Sequence, residues 1–348
     1  VTRPTATAVV ESPLQLLCAV EAHAAGHGDA RTLVRARADV ATLAATVSTV
    51  EALGLPDGLD AVVGPPPRRL PDGVVTVGDA FSGAFQSALV RAPRPPRRLV
   101  VVDDGLATLD LARRLVSSAP LVRPGTLPDP LRLGLGALAG RRLRRLARGG
   151  RVVLCTTLPL PAPLVTGLRA LGVHVETHGF EWLRSRPRPE APAEDTVVVG
   201  SAFVADGLVH ADRYAAWIRG IAADGPVRYL PHRRHDPLVT ALLERLPGVT
   251  VDAPGAPVEV RLRGMRAGQR VVSLPSTSAI TLTRLLAPAG VGVVPHAVPA
   301  EWWTGRVDDA LREHLGTARD LALRARPAAP APARLDPAGD GTMSPARA

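Results

Sequence analysis

Short apolar runs rich in β-branched residues alternate with helical patterns along most of this chain, a rhythm that restricts it to parallel α/β units. Three of these runs stop abruptly at polar clusters. Asp103-Asp104-Gly105 follows Leu99–Val102, Pro231-His232-Arg233-Arg234 follows Val227–Leu230, and Pro275-Ser276-Thr277-Ser278 follows Val271–Leu274. In open α/β sheets the carboxyl ends of strands face the ligand crevice, so side chains there are placed for chemistry. The clusters are complementary. A carboxylate can deprotonate an acceptor hydroxyl, while a histidine, arginines and hydroxyls can hold a departing phosphate.

The rest of the pattern organises around these clusters. Strands are predicted at Ala6–Val10, Thr32–Arg35, Ala61–Val63, Val74–Val77, Leu99–Val102, Arg151–Cys155 and Val173–Thr177. Helices are predicted at Pro13–Ala25, started by Ser12 before Pro13, at Val40–Leu53, and from the Gly78–Gly83 loop through Leu89. Proline and charge then concentrate in Arg184–Asp195, which reads as an interdomain linker. A second α/β half follows, with strands at Thr196–Val199, Val227–Leu230, Val249–Val251, Val258–Leu262, Val271–Leu274 and Gly292–Val294. Its helices are predicted over Ala211–Ala222, Pro237–Leu246 and Ser278–Leu286. The division expected is therefore one Rossmann-like α/β domain over 1–188, a second over 196–326, and a disordered Ala/Pro-rich tail over 327–348.

Composition removes several classes of function. Aromatics make up 3% of the 348 residues, too few for the stacking platforms of a single-stranded nucleic-acid binder. The net charge of +10 points to nucleic acid at first sight, but every Lys/Arg position is Arg and the chain has no Lys or Asn, the mark of a GC-rich coding sequence. Nucleic acid is not an expected partner. The cysteines, Cys18 and Cys155, lie far apart in apolar contexts and read as small buried thiols. His23 and His27 lack a third ligand nearby, His174 and His178 lie on a strand-like stretch, and no Asp-x-Asp triplet exists, so no metal is expected. Neither a dinucleotide-binding nor a P-loop glycine fingerprint is present. No leader and no membrane-spanning run is visible, so the expected location is cytoplasmic. The segment 130–149, with Arg141-Arg142-Leu143-Arg144-Arg145-Leu146, reads either as a solvated arginine helix or as a peripheral contact with the inner face of an anionic membrane.

Taken together, the motifs resemble those of bacterial sialyltransferases, in particular the α-2,8-polysialyltransferase-like family. VVESPLQLLCAVEA resembles that family's SPLQ-type opening, and VVVDDGLATL its acidic D/E-D/E-G motif. RYLPHRRHDPL resembles its histidine motif, APVEVRL its Pro-x-Glu element, and VVSLPSTSAITL its Ser-Ser/Thr motif. They occur in order from Ala8 to Leu286. One departure is His232-Arg233, where the family usually has His-Pro. The resemblance implies a GT-B fold of two Rossmann-like domains facing a central cleft. It also implies inverting, metal-independent transfer of sialic acid from CMP-sialic acid to a glycan acceptor, with no further cofactor. Two other readings are a GT-B transferase with a different nucleotide sugar, and a catalytically silent sugar-nucleotide or glycan binder.

The residues that follow as candidates each have a plainer explanation beside them. Asp103 and Asp104 point in different directions on an extended backbone, so one can act as base while the other orients the loop; the alternative is a cap on the helix Leu106–Val116. Gly105 permits the turn. His232 is the electrophile candidate at the phosphate, with Arg233 and Arg234 as further donors or ordinary surface arginines. Thr277 and Ser278 combine hydroxyls with free helix N–H groups, an anion site or a cap. Glu259 meets either ribose or cytosine, or solvent at a strand end. Ser12 and Gln15 border the acceptor side, with capping an equal account of Ser12.

Overall fold

The structure, a computed structural model, describes residues 5–38, 40–67, 69–123 and 129–325; the tail expected over 327–348 lies outside them. The first half alternates β1 (Ala6–Val10), α1 (Pro13–Ala24), β2 (Thr32–Arg37), α2 (Ala41–Ala52), β3 (Leu59–Gly64), β4 (Val74–Val77), α3 (Gly83–Arg91), β5 (Arg98–Val102), α4 (Leu106–Ser117), α5 (Pro130–Arg148), β6 (Val152–Thr156), α6 (Ala162–Ala170), β7 (Val173–Thr177) and α7 (Glu181–Ser185). The second half continues with β8 (Thr196–Val199), α8 (Ala211–Ala223), β9 (Val227–Leu230), α9 (Pro237–Leu243), β10 (Val249–Val251), α10 (Val258–Leu262), β11 (Arg270–Ser273), α11 (Thr277–Leu286), β12 (Gly292–Pro295) and α12 (Asp309–Arg324).

The strands form two all-parallel sheets, ordered β3-β2-β1-β4-β5-β6-β7 and β10-β9-β8-β11-β12. Every residue of β4, β6 and β8 is buried, as expected when helices cover both faces of a parallel sheet. Strand order reverses between β1 and β4 in one sheet and between β8 and β11 in the other. Those are the points where ligands enter open α/β sheets. Two Rossmann-like sheets in one chain give the α/β, GT-B architecture.

The halves do not merely face each other. One apolar cluster runs from Leu17 and Val102 through Phe180 and Leu183 to Val260, Leu282 and Val293. Another joins Leu106, Leu109 and Leu158 to Ile280, Leu321 and Ala322, so α12 returns from the second half onto the first. The segment 186–195 is strapped down rather than loose: Arg263 donates to the Pro187 carbonyl at 2.7 Å, and Gln269 donates to those of Pro192 and Glu194 at 2.7 and 3.0 Å.

Four elements depart from the sequence pattern, one of them α6, a helix absent from the sequence prediction. Val258–Leu262 is a short helix, not a strand; Pro257 starts it, and burial of Glu259, Val260 and Leu262 overrides the alternation that suggested a strand. α7 occupies the beginning of the expected linker because Trp182 and Leu183 are buried. α12, rich in charge, is absent from the sequence prediction. Among the described residues no helix is long and apolar enough to cross a membrane.

Candidate functional site

β5 ends at Val102, and the next two carboxylates part company as an extended backbone requires. Asp104 turns toward α1. Its Oδ1 accepts from Gln15 Nε2 at 2.7 Å, and its Oδ2 faces Arg123 Nη2 at 3.4 Å. Arg123 bonds more closely to Asp79 beyond it, at 2.6 Å, while Asp79 also accepts from the Phe81 amide at 2.7 Å. Gln15 is fixed in turn. Its Oε1 accepts from the Glu11 amide at 2.7 Å, and its side chain lies so close over Gly78 that a Cβ there would fall 2.2 Å from Oε1. Burial, and then the Asp79 charge, raise the Asp104 carboxyl to about 6, against the opposing pull of Gln15 and Arg123. The Asp104 side chain keeps 20% of its surface exposed. It is a half-sheltered carboxylate held in one rotamer from two sides.

Asp103 turns inward and is completely buried. Thr156 Oγ1 and the Thr157 amide each donate to it at 2.5 Å, tying the end of β5 to the end of β6. Burial pushes its carboxyl up to about 7 although those bonds pull it down. Neither aspartate is the cap of α4: the capping position is Gly105, at φ +64°, and Thr108 Oγ1 in the first turn accepts from the Asp104 amide at 2.9 Å. Because Asp103 is closed off from solvent, the two carboxylates do not share an open site.

The turn at Gly105 brings the halves together. A Cβ at Gly105 would lie 2.4 Å from Thr277 Oγ1, so only glycine allows this approach between the β5 loop and the start of α11. Ser276 caps α11, accepting from the Ala279 amide at 3.3 Å. The half-buried Thr277 and Ser278 follow in the first turn, where backbone N–H groups and the helix dipole favour an anion.

His232 follows β9 and is half-buried. Its Nδ1 accepts from the Arg234 amide at 3.1 Å, which leaves the proton of the neutral ring on Nε2 as a donor. Burial, and then the charges of Arg233 and Arg234, hold its pKa below the usual imidazole range. Near neutral pH it is therefore a neutral hydrogen-bond donor rather than a cation. Arg233 is exposed, and Arg234 is drawn away to Asp206 at 3.0 Å.

One expected residue lies elsewhere, and another follows its plainer reading. Glu259 is neither at a strand end nor in solvent: it is buried on α10, where it accepts from Thr281 Oγ1 at 2.6 Å and braces α10 on α11. Ser12 caps α1, accepting from the Gln15 amide at 3.3 Å, so its hydroxyl is committed to the helix. Asp79 and Arg123 escaped the sequence reading, although Gly78-Asp79 follows the apolar run Val74–Val77 just as Asp103-Asp104 follows its own.

The sequence matches no family profile and no curated protein. Among solved structures it is similar to a UDP-glucose: anthocyanidin 3-O-glucosyltransferase in complex with UDP, at 10% identity over 92% of this chain and 95% of that one, with a TM-score of 0.44. It is similar to Phytolacca americana UGT2 complexed with UDP-2fluoro-glucose and pterostilbene, at 11% identity over 93% and 95%, with a TM-score of 0.43. A third is a UDP-glucosyltransferase from Polygonum tinctorium capable of glucosylating indoxyl, at 11% identity over 94% of both chains, with a TM-score of 0.45. Likeness at this level carries no functional argument; the fold rests on the sheet topology.

Proposed function

We propose that this chain is an inverting glycosyltransferase that takes its sugar from a nucleotide-activated donor. The observation that carries the reading is the approach of the β5 acidic loop to the start of α11 through Gly105 and Thr277. It sets a carboxylate from one half beside a ready anion site from the other. Asp104 is the proposed base: exposed enough to meet an acceptor hydroxyl, and oriented by Gln15 and Arg123. Asp103 is a positioning residue that locks the loop onto Thr156 and Thr157. The donor phosphate lies against the Thr277 and Ser278 hydroxyls and N–H groups, with His232 Nε2–H donating to it as the glycosidic bond breaks. The base takes the acceptor proton as its oxygen attacks the anomeric carbon, and the nucleotide departs as phosphate from the opposite face, which inverts the centre.

The donor we favour is CMP-sialic acid, on the ordered motifs that resemble the polysialyltransferase-like family, and the acceptor is a glycan. UDP-sugars, the class bound by the solved glucosyltransferases, are the second donor class. Thermal-shift titration with CMP, UDP, GDP and dTDP separates them. Stabilisation by CMP above the others supports the sialyltransferase reading; preference for UDP transfers the proposal to UDP-sugars; no response to any nucleotide overturns it. The reaction needs no metal at the phosphate, so transfer should proceed in EDTA without gain from added Mg²⁺ or Mn²⁺.

A further inference from the structure

Helix α1 presents a buried polar stripe to the strand ends. Gln15, Cys18 and Glu21, three residues apart, are all buried on it. Gln15 holds Asp104, and Glu21 accepts from the Trp182 and Leu183 amides of α7 at 3.0 and 2.8 Å. Cys18, between them, has no such structural bond. It faces Asp103 and His178, and the thiol sulfur, a carboxylate oxygen and a ring nitrogen of this trio all lie within 4.8 Å of one another.

His178 is the anomaly. It is 7% exposed, yet neither ring nitrogen has a hydrogen-bond partner. Its position is enforced: its amide donates to the Thr156 carbonyl at 3.1 Å, and the ring of Phe180 stands edge-on to it at 5.0 Å. Phe180 itself is fully buried at φ +62°, a conformation a bulky residue rarely adopts. A buried imidazole left unpaired, and held there by a strained turn, needs a partner the protein atoms do not supply.

We propose that Cys18, Asp103 and His178 form a buried binding site for a divalent zinc-like ion beneath the catalytic loop. Sulfur, nitrogen and oxygen are the donor set zinc prefers, with bonds of about 2.0–2.3 Å. Charges balance. A thiolate and a carboxylate cancel the dication, the imidazole binds neutral, and the thiol proton, with the Asp103 proton where the carboxyl carries one, leaves to solvent on binding. Thr156 Oγ1 and the Thr157 amide, already on Asp103, orient the carboxylate as outer-shell donors. The Asp103 carboxylate, which also bonds the Thr108 side chain, retains a lone pair beyond those three. The second possible trio around His178, with Glu21 and Glu181, is less suited: it offers no sulfur donor, and Glu181 is exposed and bonded to Gly179 and Arg184. The ion would join α1, the β5 end and the β7–α7 turn. Being buried, it would be out of reach of the donor phosphate, so the site is separate from the proposed transfer chemistry.

The test is metal analysis of the full chain produced with added Zn²⁺, then refolded in Co²⁺. About one zinc per chain is expected, with thiolate-to-cobalt charge-transfer absorption in the near ultraviolet. Cys18→Ser should abolish that band and lower bound zinc at least tenfold, whereas Cys155→Ser, at the other buried thiol, should keep both. The cobalt spectrum of Cys155→Ser, in which Cys18 is the one thiol left, decides the matter even if Cys18→Ser fails to fold. Zinc-free protein that gives no cobalt–sulfur band overturns the proposal. So does zinc retained in folded Cys18→Ser, which would assign the ion to the Glu21 side.

Discussion

The strand ends of the two sheets treat their polar groups in opposite ways. At the β1, β4 and β5 ends, Gln15, Asp79 and Asp104 are linked through one another, Arg123 and the backbone, and Asp103 is held by Thr156 and the Thr157 amide. At the β9 and β11 ends, half-buried His232 carries its neutral-ring proton on Nε2, Arg233 is exposed, and the half-buried first turn of α11 has helix N–H groups. The contrast is between a group fixed before substrate arrives and donors whose partner is an anion still to come. Such an arrangement suits a base whose geometry must already be set, opposite a phosphate that brings its own charge.

The largest expected effect tests that division. Asp104→Asn should lower the rate of transfer by ~10²–10⁴-fold while leaving CMP affinity unchanged within twofold or so, measured by initial rates beside calorimetry. Asp103→Ala should instead act mainly on stability. Losing the acceptor for Thr156 and Thr157 leaves two buried donors unpaired, at roughly 1–3 kcal/mol each, read as a fall in melting temperature. If Asp103 variants fold normally and lose the reaction while Asp104→Asn keeps it, the roles are reversed.

His232→Ala should reduce both rate and CMP affinity, because the same N–H meets phosphate in the ground and transition states; the loss of a bond to a charged group corresponds to ~10–10²-fold. The pH dependence has a definite sign. His232 is held below the ordinary imidazole range, so it is neutral at pH 7 and gains its proton only as pH falls below that range. CMP affinity should therefore strengthen on acidification in the native protein and lose this dependence in the alanine variant. Affinity that weakens over the same interval would place the phosphate elsewhere.

The sequence made the strands and their polar ends legible because apolar runs and the clusters after them are local patterns. Asp103-Asp104 was readable as a pair, but not as one outward and one inward residue, since the inward one is defined by Thr156 on the next strand. Glu259 was misplaced for a related reason: Val-Glu-Val-Arg-Leu alternates like a strand, and only its burial against Thr281 makes it helical. Cys18 looked inert because its neighbours in sequence are apolar. Its neighbours in space, Asp103 and His178, come from 85 and 160 residues away.

A smaller effect tests the contact between the halves. Gly105→Ala meets Thr277 Oγ1 at 2.4 Å and places a Cβ at φ +64°. The strain should cost about 1–3 kcal/mol. Adding Thr277→Ser, which removes the methyl also pressed on that position at 3.2 Å, should recover part of the loss; full additivity of the two changes would show that the loop and α11 do not meet.

The smallest effect concerns α5, on the acceptor side of the comparison. Its arginines are not one solvated run. Arg142 donates to the Val90 and Ala92 carbonyls and Arg144 is buried, which leaves Arg141, Arg145 and Arg148 exposed. Leu131 and Leu138, two turns apart on the same helix, are 87% and 50% exposed. A lipid-linked acceptor would bring this basic, leucine-bearing surface against an anionic leaflet, where each arginine contributes ~1 kcal/mol. Co-sedimentation with vesicles containing phosphatidylserine should exceed that with neutral vesicles, and Arg141→Gln with Arg145→Gln should weaken it by roughly tenfold or more. Salt should weaken it as well, since surface charge is screened within about 10 Å at 0.1 M. Equal sedimentation with neutral and anionic vesicles would make α5 an ordinary solvated helix and leave the acceptor side of the molecule facing soluble glycans.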